Sequence, residues 1–230
     1  MAVTFVSSTG LTIGASASTW SLPFASSMTD GAAILVGIGL ASSVVTVSTV
    51  TDNTTNLYQL AVRLGAGPKP PDNVEIWYSL SISSLSTRIS VTLSATSSGG
   101  IGAAQFTGLS SANALKETAS SASITTSSRH SAANITPSTT GLLFVFARLN
   151  ATQGAGSPTS NYIEWVDTNV IDRCYGMYQI QTTIADSSGT WTNSTAVFTG
   201  TCLAAFGAGP PPAGGAAVRP PWLFSLMGVQ

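Results

Sequence analysis

The single histidine of the sequence, His130, is the residue on which a serine-nucleophile mechanism would depend. It lies beside Ser128, Arg129 and Ser131. Hydrolysis by a Ser/His/Asp triad needs a histidine as the base that activates the serine. Serines are so numerous in this chain that one of them beside a histidine carries little information, and no Gly-x-Ser-x-Gly elbow occurs. We therefore predict no catalytic triad.

Carboxylates offer a second route to catalysis, because glycoside hydrolysis uses two of them about 5 to 10 Å apart. Glu164 and Asp167 are close in sequence. Side chains three residues apart on a strand point to opposite faces unless a bulge lies between them. We expect solvated carboxylates rather than an enzyme from the full set, which is Asp30, Asp52, Asp72, Glu75, Glu117, Glu164, Asp167, Asp172 and Asp186.

Metal and cofactor sites have weak support. Asp167, Asn169 and Asp172 supply oxygen ligands of the kind that Ca²⁺ prefers, but their spacing matches no EF-hand. Cys174 and Cys202 cannot form a metal site by themselves, and we expect two buried free thiols, with a single disulfide as the alternative. No phosphate loop or dinucleotide fingerprint occurs. We predict neither a metal nor a cofactor.

The aromatic residues could form a platform on which a sugar stacks, as in β-sandwich carbohydrate-binding modules. Packing in cores and interfaces is the commoner role of such side chains. The residues concerned are Trp20, Tyr58, Trp77, Tyr78, Tyr162, Trp165, Tyr175, Tyr178 and Trp191.

The elements that must position these residues are predicted to be strands. Short β-branched and aromatic runs alternate with turn residues, as at Asp52-Asn53, Ser98-Gly99-Gly100 and Ser187-Ser188-Gly189. The pattern predicts an all-β, two-sheet antiparallel sandwich, jelly-roll-like, over residues 1–206. Thr-Gly-Leu recurs at irregular spacing, so we predict no internal repeat. The predicted strands are Val3 to Ser7, Leu11 to Leu22, Ala33 to Leu40, Val44 to Val50, Leu57 to Leu64, Asn73 to Ser81, Arg88 to Ala95, Ile101 to Thr107, Ala122 to Thr126, Leu142 to Leu149, Tyr162 to Thr168, Cys174 to Thr182 and Thr195 to Phe206.

Two predicted strands are almost continuously apolar. Ile34 to Leu40 and Leu142 to Ala147 read as central strands that are covered on both faces. The second sheet supplies one cover, and we expect a neighbouring subunit to supply the other.

The composition changes after Phe206. Residues 207–221 consist mostly of Gly, Ala and Pro, and an apolar tip follows. We predict an extended arm over 207–230 rather than a domain. It would be held by main-chain contacts, in a groove of a neighbouring copy or, as the alternative, on its own sandwich. The predicted assembly residues are Pro220, Pro221, Trp222, Leu223, Phe224, Leu226 and Met227.

Charge is scarce: charged residues make up 7% of the chain and the net charge is −1, against about 25% charged residues in ordinary domains. Eight basic residues without aromatic clustering argue against nucleic acid as a partner. The longest apolar run, Gly31 to Ala41, is shorter than the ~20 residues of a membrane span. The first basic residue is Arg63, which argues against a classical export signal. A neutral polar surface also lets copies approach without burying unpaired charge.

A series of segments resembles a loosely defined group of β-sandwich proteins encoded by tailed bacteriophages. The likeness covers about residues 1–150 and is carried by Val3-Thr4-Phe5, GAAILVGIGLA, VTDNTTNLYQLA, VEIWYSLSI, ISVTLSAT, AAQFTGLSS and GLLFVFA. Their shared positions are core and turn residues, so no binding residue is carried over.

This resemblance implies a structural protein of the virion surface, such as a capsid decoration or cement protein. Its partners would be copies of itself and a major capsid protein or another virion protein, after synthesis in the host cytoplasm. The alternative is a receptor-binding or carbohydrate-binding β-sandwich module, as in a phage tail or fibre tip.

Overall fold

The structure is a computed structural model that describes residues 2–64, 73–83, 86–149, 156–159, 161–168 and 173–210. Every regular element in this part of the chain is a β-strand. The strands are β1 (Thr4–Pro23), β2 (Ala33–Leu40), β3 (Val47–Asp52), β4 (Gln59–Arg63), β5 (Asn73–Ser79), β6 (Arg88–Thr107), β7 (Leu115–His130), β8 (Gly141–Leu149), β9 (Gly156–Pro158), β10 (Ile163–Asp167), β11 (Cys174–Gln181) and β12 (Trp191–Gly207).

The strands form two antiparallel six-stranded sheets that pack face to face. The first sheet has the order β1-β6-β2-β5-β4, with β3 also paired to β6. The second has the order β10-β11-β8-β12-β7, with β9 also paired to β12. The predicted all-β two-sheet antiparallel sandwich is therefore confirmed. The strand order does not establish the jelly-roll topology, because the chain completes the first sheet before it begins the second.

The two sheets have the same strand topology, so the chain contains a structural repeat. The prediction that no internal repeat exists was therefore wrong. Adding six to each strand number of the first sheet gives the second sheet in full, including the extra pair β3–β6, which becomes β9–β12. The contacts between sheets follow the same rule, since β1 lies against β10 and β4 lies against β7. The halves are thus related by an approximate twofold axis, as in a dimer with an isologous interface.

Strand register identifies the equivalent residues. Leu35 of β2 is paired with Tyr78 and Ala104, and Phe144 of β8 is paired with Tyr178 and Ala204. Likewise, Ala33 pairs with Phe106 and Leu142 with Phe206. Tyrosine, alanine and phenylalanine thus recur at matching positions of the two halves.

Three hydrophobic cores result from this arrangement. The central core lies between the sheets and contains Leu35, Phe106, Phe144, Phe146 and Phe206. A second core covers the outer face of the first sheet, and a third covers the outer face of the second. The chain thus buries both faces of each central strand by itself.

The outer covers come from the long strands. β6 pairs with β2 through Gly99–Phe106 and with β3 through Ile89–Leu93. The far part of β1, from Thr19, follows β6 after irregularities near Ala17. Side chains from these outer segments of β1, β3 and β6, including Trp20, Val50 and Val91, form one cluster with Ile34 and its neighbours in β2. The neighbouring subunit that the sequence suggested as the outer cover is therefore not needed.

The last strand ends at Gly207, one residue beyond the predicted end of the sandwich. Ala208 then forms a bridge with Leu109, and the Gly209 amide donates to the Gly108 carbonyl at 2.8 Å. The predicted assembly residues of the arm, Pro220, Pro221, Trp222, Leu223, Phe224, Leu226 and Met227, lie outside the described residues. Among the residues that are described, no helix is long and apolar enough to cross a membrane.

Candidate functional site

An open polar cleft lies at one end of the second sheet, where β11 ends and the segment before β10 passes. Its volume is about 320 Å³. We call it the amide cleft, because four of its lining side chains are carboxamides. Its residues are Asn134, Thr159, Asn161, Tyr162, Gln179, Gln181, Ala185, Asp186, Ser187, Ser188, Gly189 and Thr190.

Hydrogen bonds fix the walls of the amide cleft. Ser187 exchanges two backbone hydrogen bonds with Ile135, at 2.9 and 3.0 Å, which ties the β11–β12 loop to the β7–β8 loop. The Tyr162 hydroxyl is hydrogen-bonded to the Ser187 hydroxyl. Both the amide and the hydroxyl of Thr159 donate to the Thr190 carbonyl, at 3.0 and 2.6 Å. The loop that lines the cleft is therefore tied to two neighbouring segments, the β7–β8 loop and the segment before β10.

The chemistry of the amide cleft favours binding over turnover. Asp186 is the one carboxylate among the described residues that line it, and its Oδ1 accepts from Thr136 at 2.6 Å. Hydrolysis of a glycoside by a carboxylate pair needs a second acid. Carboxamides and hydroxyls both donate and accept hydrogen bonds, so they suit a neutral polar ligand.

A second open cleft occupies the matching end of the first sheet. It has a volume of about 340 Å³ and lies where β5 ends near the start of β4, as the amide cleft lies where β11 ends near β10. We call it the leucine cleft, because Leu57 and Leu80 line it. Its other residues are Thr55, Asn56, Gln59, Tyr78, Ser79, Ser81 and Ser111.

The aromatic residues do not form the sugar platform that the sequence left open as an alternative, and most of them pack in the cores, which is the commoner role. Trp20, Trp77 and Trp191 are each buried in one of the two outer cores. Trp165 stacks on Phe144 with ring centroids 5.1 Å apart, inside the molecule. Tyr58, Tyr175 and Tyr178 also pack on or within cores, whereas Tyr78 and Tyr162 reach the two clefts.

His130 is buried at the end of β7. Its Nδ1 is hydrogen-bonded to the Thr199 hydroxyl at 2.8 Å, and its ring lies 4.8 Å from that of Trp191. By register, His130 and Trp191 occupy the positions that Trp20 and Val91 hold in the first half. The imidazole thus replaces an indole in a packing position.

The acid pair differs from its prediction. A bulge lies between Glu164 and Val166, so Glu164 pairs with Met177 and Asp167 with Tyr175. Met177 and Tyr175 share the outer face of β11, and the two acids therefore lie on one face. Burial and the nearby charge of Asp167 raise the pKa of Glu164, while Arg173 acts in the opposite direction.

Asp167 itself is committed to an ion pair. Arg173 holds it with two hydrogen bonds, one of them 2.7 Å from Nε to Oδ1, and the guanidinium carbon lies 4.8 Å from the centre of the Tyr175 ring. This bidentate pairing fixes the carboxylate and leaves it poorly suited to act as a nucleophile or base. Asn169 and Asp172, which the sequence offered with Asp167 as possible calcium ligands, lie outside the described residues.

Sequence reasoning missed a fully buried carboxylate, Glu75. It accepts hydrogen bonds from the Val47 amide at 2.9 Å and the Trp77 indole at 2.8 Å, and its Oε1 lies 2.9 Å from Nε of Arg63. A buried carboxylate with this many partners joins β3, β4 and β5. From the sequence we expect Glu75 to be a solvated carboxylate, because no sequence signal indicates the outer core that covers it.

Neither of the two cysteines belongs to a metal site among the described residues. Cys174 and Cys202 are buried and are not joined in a disulfide, which confirms the prediction of two buried thiols. Burial raises the pKa of the Cys202 thiol, which donates to the Val74 carbonyl at 3.2 Å. Within the described ranges, no three His, Cys, Asp or Glu side chains are grouped so that they could hold a metal ion.

Comparison with protein-family models, with curated proteins and with solved structures gave no match. The assignment of function therefore depends on the geometry of this chain.

Proposed function

We propose that the chain is a structural protein of the outer layer of a virion, which acts by packing against copies of itself and a capsid or other virion protein. This role requires a stable body and surfaces on which neighbours can lie. Three closed cores supply the first. An outer strand without charged side chains supplies the second, and it is the observation that carries the proposal.

The outer strand is β1, the edge of the first sheet. Its twenty residues include no charged side chain, and it exposes Val6 and Leu11 at 41% and 39%. Edge strands of proteins that remain single in solution are commonly protected by charged side chains or proline. β1 has its one proline at its last residue, Pro23. Such an edge is suited to contact with another protein surface.

Internal pairing of charges supports the same role. Arg63 is paired with Glu75 and Arg173 with Asp167, so four of the few charged groups are neutralised within the molecule. Little electrostatic repulsion therefore opposes close packing of copies.

Charged substitutions on β1 test the packing. We expect the full-length protein to self-associate with rising concentration in sedimentation velocity, and Val6→Lys/Leu11→Lys to shift it toward the monomer. Val44→Lys is the matched control, because Val44 is 81% exposed on the loop between β2 and β3. A wild-type protein that remains monomeric, or equal effects of the control and the β1 variant, would contradict packing through β1.

Quantitative mass spectrometry of density-purified particles tests the location. We expect the chain in a fixed ratio to the major capsid protein of the virus that encodes it. Its recovery only in the soluble fraction of infected cells would rule out the virion role.

A further inference from the structure

We propose that the amide cleft binds a neutral saccharide. This inference goes beyond assembly, since it concerns a pocket at the end of the second sheet and does not depend on the oligomeric state. A volume of about 320 Å³ lies at the small end of ligand pockets and suits one or two sugar rings.

The lining of the cleft selects against charged and apolar ligands. No lysine, arginine or histidine is among the described residues that line it. A phosphate, sulfate or sialic acid would therefore meet no cation, and it would be repelled by Asp186. Polar side chains around the cleft likewise leave little apolar surface for a lipid or an aromatic ligand.

Three carboxamides are available to a ligand. Within the described part of the chain, the side chains of Asn134, Asn161 and Gln179 make no hydrogen bond. Each presents a donor and an acceptor together, which is the pattern that a sugar hydroxyl complements. Asp186 uses Oδ1 for Thr136, so Oδ2 remains an acceptor for a further hydroxyl.

The cleft is also preorganised. Asn161 and Gly189 have positive φ values of 74° and 57°, which set the turns on its two sides. The Tyr162–Ser187 and Thr159–Thr190 hydrogen bonds hold those turns together. A ligand therefore orders few groups when it binds, which lowers the entropic cost of weak polar contacts.

The leucine cleft provides an internal comparison, because each of its two carboxamides already makes a hydrogen bond. Asn56 donates to Asp52 at 2.6 Å and accepts from the Ser83 amide at 2.9 Å. Gln59 accepts from the Tyr78 hydroxyl at 2.9 Å. Leu57, at 82% exposure, adds an apolar wall. The repeated architecture thus gives two similar cavities, and among the described residues it is the amide cleft that has carboxamides without a hydrogen bond.

An array of neutral and sialylated oligosaccharides, probed with the full-length protein, tests the inference. We expect binding to neutral glycans. Asn134→Ala and Gln179→Ala should each weaken binding of the best neutral glycan by about three- to tenfold, as for the loss of one or two hydrogen bonds. Ser79→Ala is the matched control, because Ser79 holds the position of Gln179 in the first half.

Thermal unfolding of the variants distinguishes loss of binding in the cleft from loss of the fold. Unchanged thermal unfolding midpoints of the variants would show that lost binding is local to the cleft. No binding to any neutral glycan would overturn the inference. Binding to sialylated glycans alone, or binding that survives in the Asn134→Ala/Gln179→Ala double variant, would also overturn it.

Discussion

Asp52 shows how single polar residues hold this fold. It ends β3 and accepts hydrogen bonds from the Thr54 backbone amide at 2.9 Å, the Thr54 hydroxyl at 2.7 Å, the Asn56 side-chain carboxamide at 2.6 Å and the Tyr58 hydroxyl at 3.3 Å. Burial acts to raise the pKa of Asp52, but the hydrogen bonds from Asn56 and Thr54 outweigh burial. The pKa therefore lies below its ordinary value of 3.8.

A lowered pKa makes the contribution of Asp52 dependent on pH. The folded state prefers the charged carboxylate, so its stabilisation is present above the unfolded pKa and disappears as the pH falls through the lower folded value. We expect Asp52→Asn to lower the free energy of unfolding by about 1 to 2 kcal/mol at pH 7, because an amide cannot accept from all four donors. The difference from wild type should shrink on acidification.

Urea unfolding over a series of pH values measures this difference. Asp30→Asn is the control, because it removes the same charge from an exposed position. Equal stability of Asp52→Asn and wild type at pH 7 would contradict the role of Asp52, as would a difference that persists in strong acid.

The sequence predicted correctly where such a polar residue ends a strand, but not on which face of a strand the acids lie. The turn after β3 was predicted at Asp52-Asn53, where the strand does end. The acid pair was misplaced, because the bulge before Val166 is set by packing of Trp165 and Val166 against the central core. The rule that alternate side chains share a face holds only for a regular strand.

At the scale of elements, β2 and β8 cross the central core as a matched pair. Gly37 of β2 and Phe146 of β8 are equivalent in the repeat, and they face each other. A Cβ atom on Gly37 would lie 2.1 Å from Cδ2 of Phe146. The ring of one half therefore fills the space that the missing side chain leaves in the other.

This fit predicts a sharp response to one added methyl group. We expect Gly37→Ala to lower the free energy of unfolding by about 1 to 3 kcal/mol through overpacking. Gly14→Ala is the control, because a Cβ there meets no atom within 4 Å. Chemical denaturation of both variants gives the comparison.

A double variant tests whether Phe146 is the cause. Gly37→Ala/Phe146→Leu should lose less stability than the sum of its two single variants, since the smaller side chain gives the methyl group room. Strict additivity would place the strain elsewhere, and equal stability of Gly37→Ala and Gly14→Ala would contradict the fit.

The sequence predicted the buried central strands and their cover by the second sheet correctly, but the other cover is an outer core of the same chain rather than a neighbouring subunit. An apolar run shows that both faces are buried, but not what buries them. Ser98-Gly99-Gly100 was predicted to be a turn that separates two strands, whereas β6 passes through it without a break. Gly99 has a φ of 154°, and a side chain there would meet the Gly39 carbonyl, so this glycine permits close packing of neighbouring strands within the sheet.

At the scale of the molecule, the two halves repeat the same strand order, but their sequences do not show a constant period. The offset between equivalent residues falls from 109 between Leu35 and Phe144 to 100 between Tyr78 and Tyr178, because loops of the two halves differ in length. Close packing at the axis also demands unlike partners, such as Gly37 and Phe146. A search for a constant period therefore finds nothing, whereas strand order makes the duplication plain.

The predicted role of the arm in assembly can be tested directly by measuring self-association of variants that lack it. The described strands and cores end by residue 210, so a chain that stops there retains the complete sandwich. We expect this truncation to weaken self-association, and its thermal unfolding midpoint to equal that of the full chain.

A full-length variant with serine at Trp222, Leu223 and Phe224 separates the apolar tip from the rest of the arm. We expect a partial loss of association, because main-chain contacts along the arm remain. A lowered unfolding midpoint in the truncated chain would mean that the arm packs on its own sandwich. Unchanged sedimentation of both variants would assign assembly to β1 and to the body alone, since residues that bind a neighbour must alter association when they are removed.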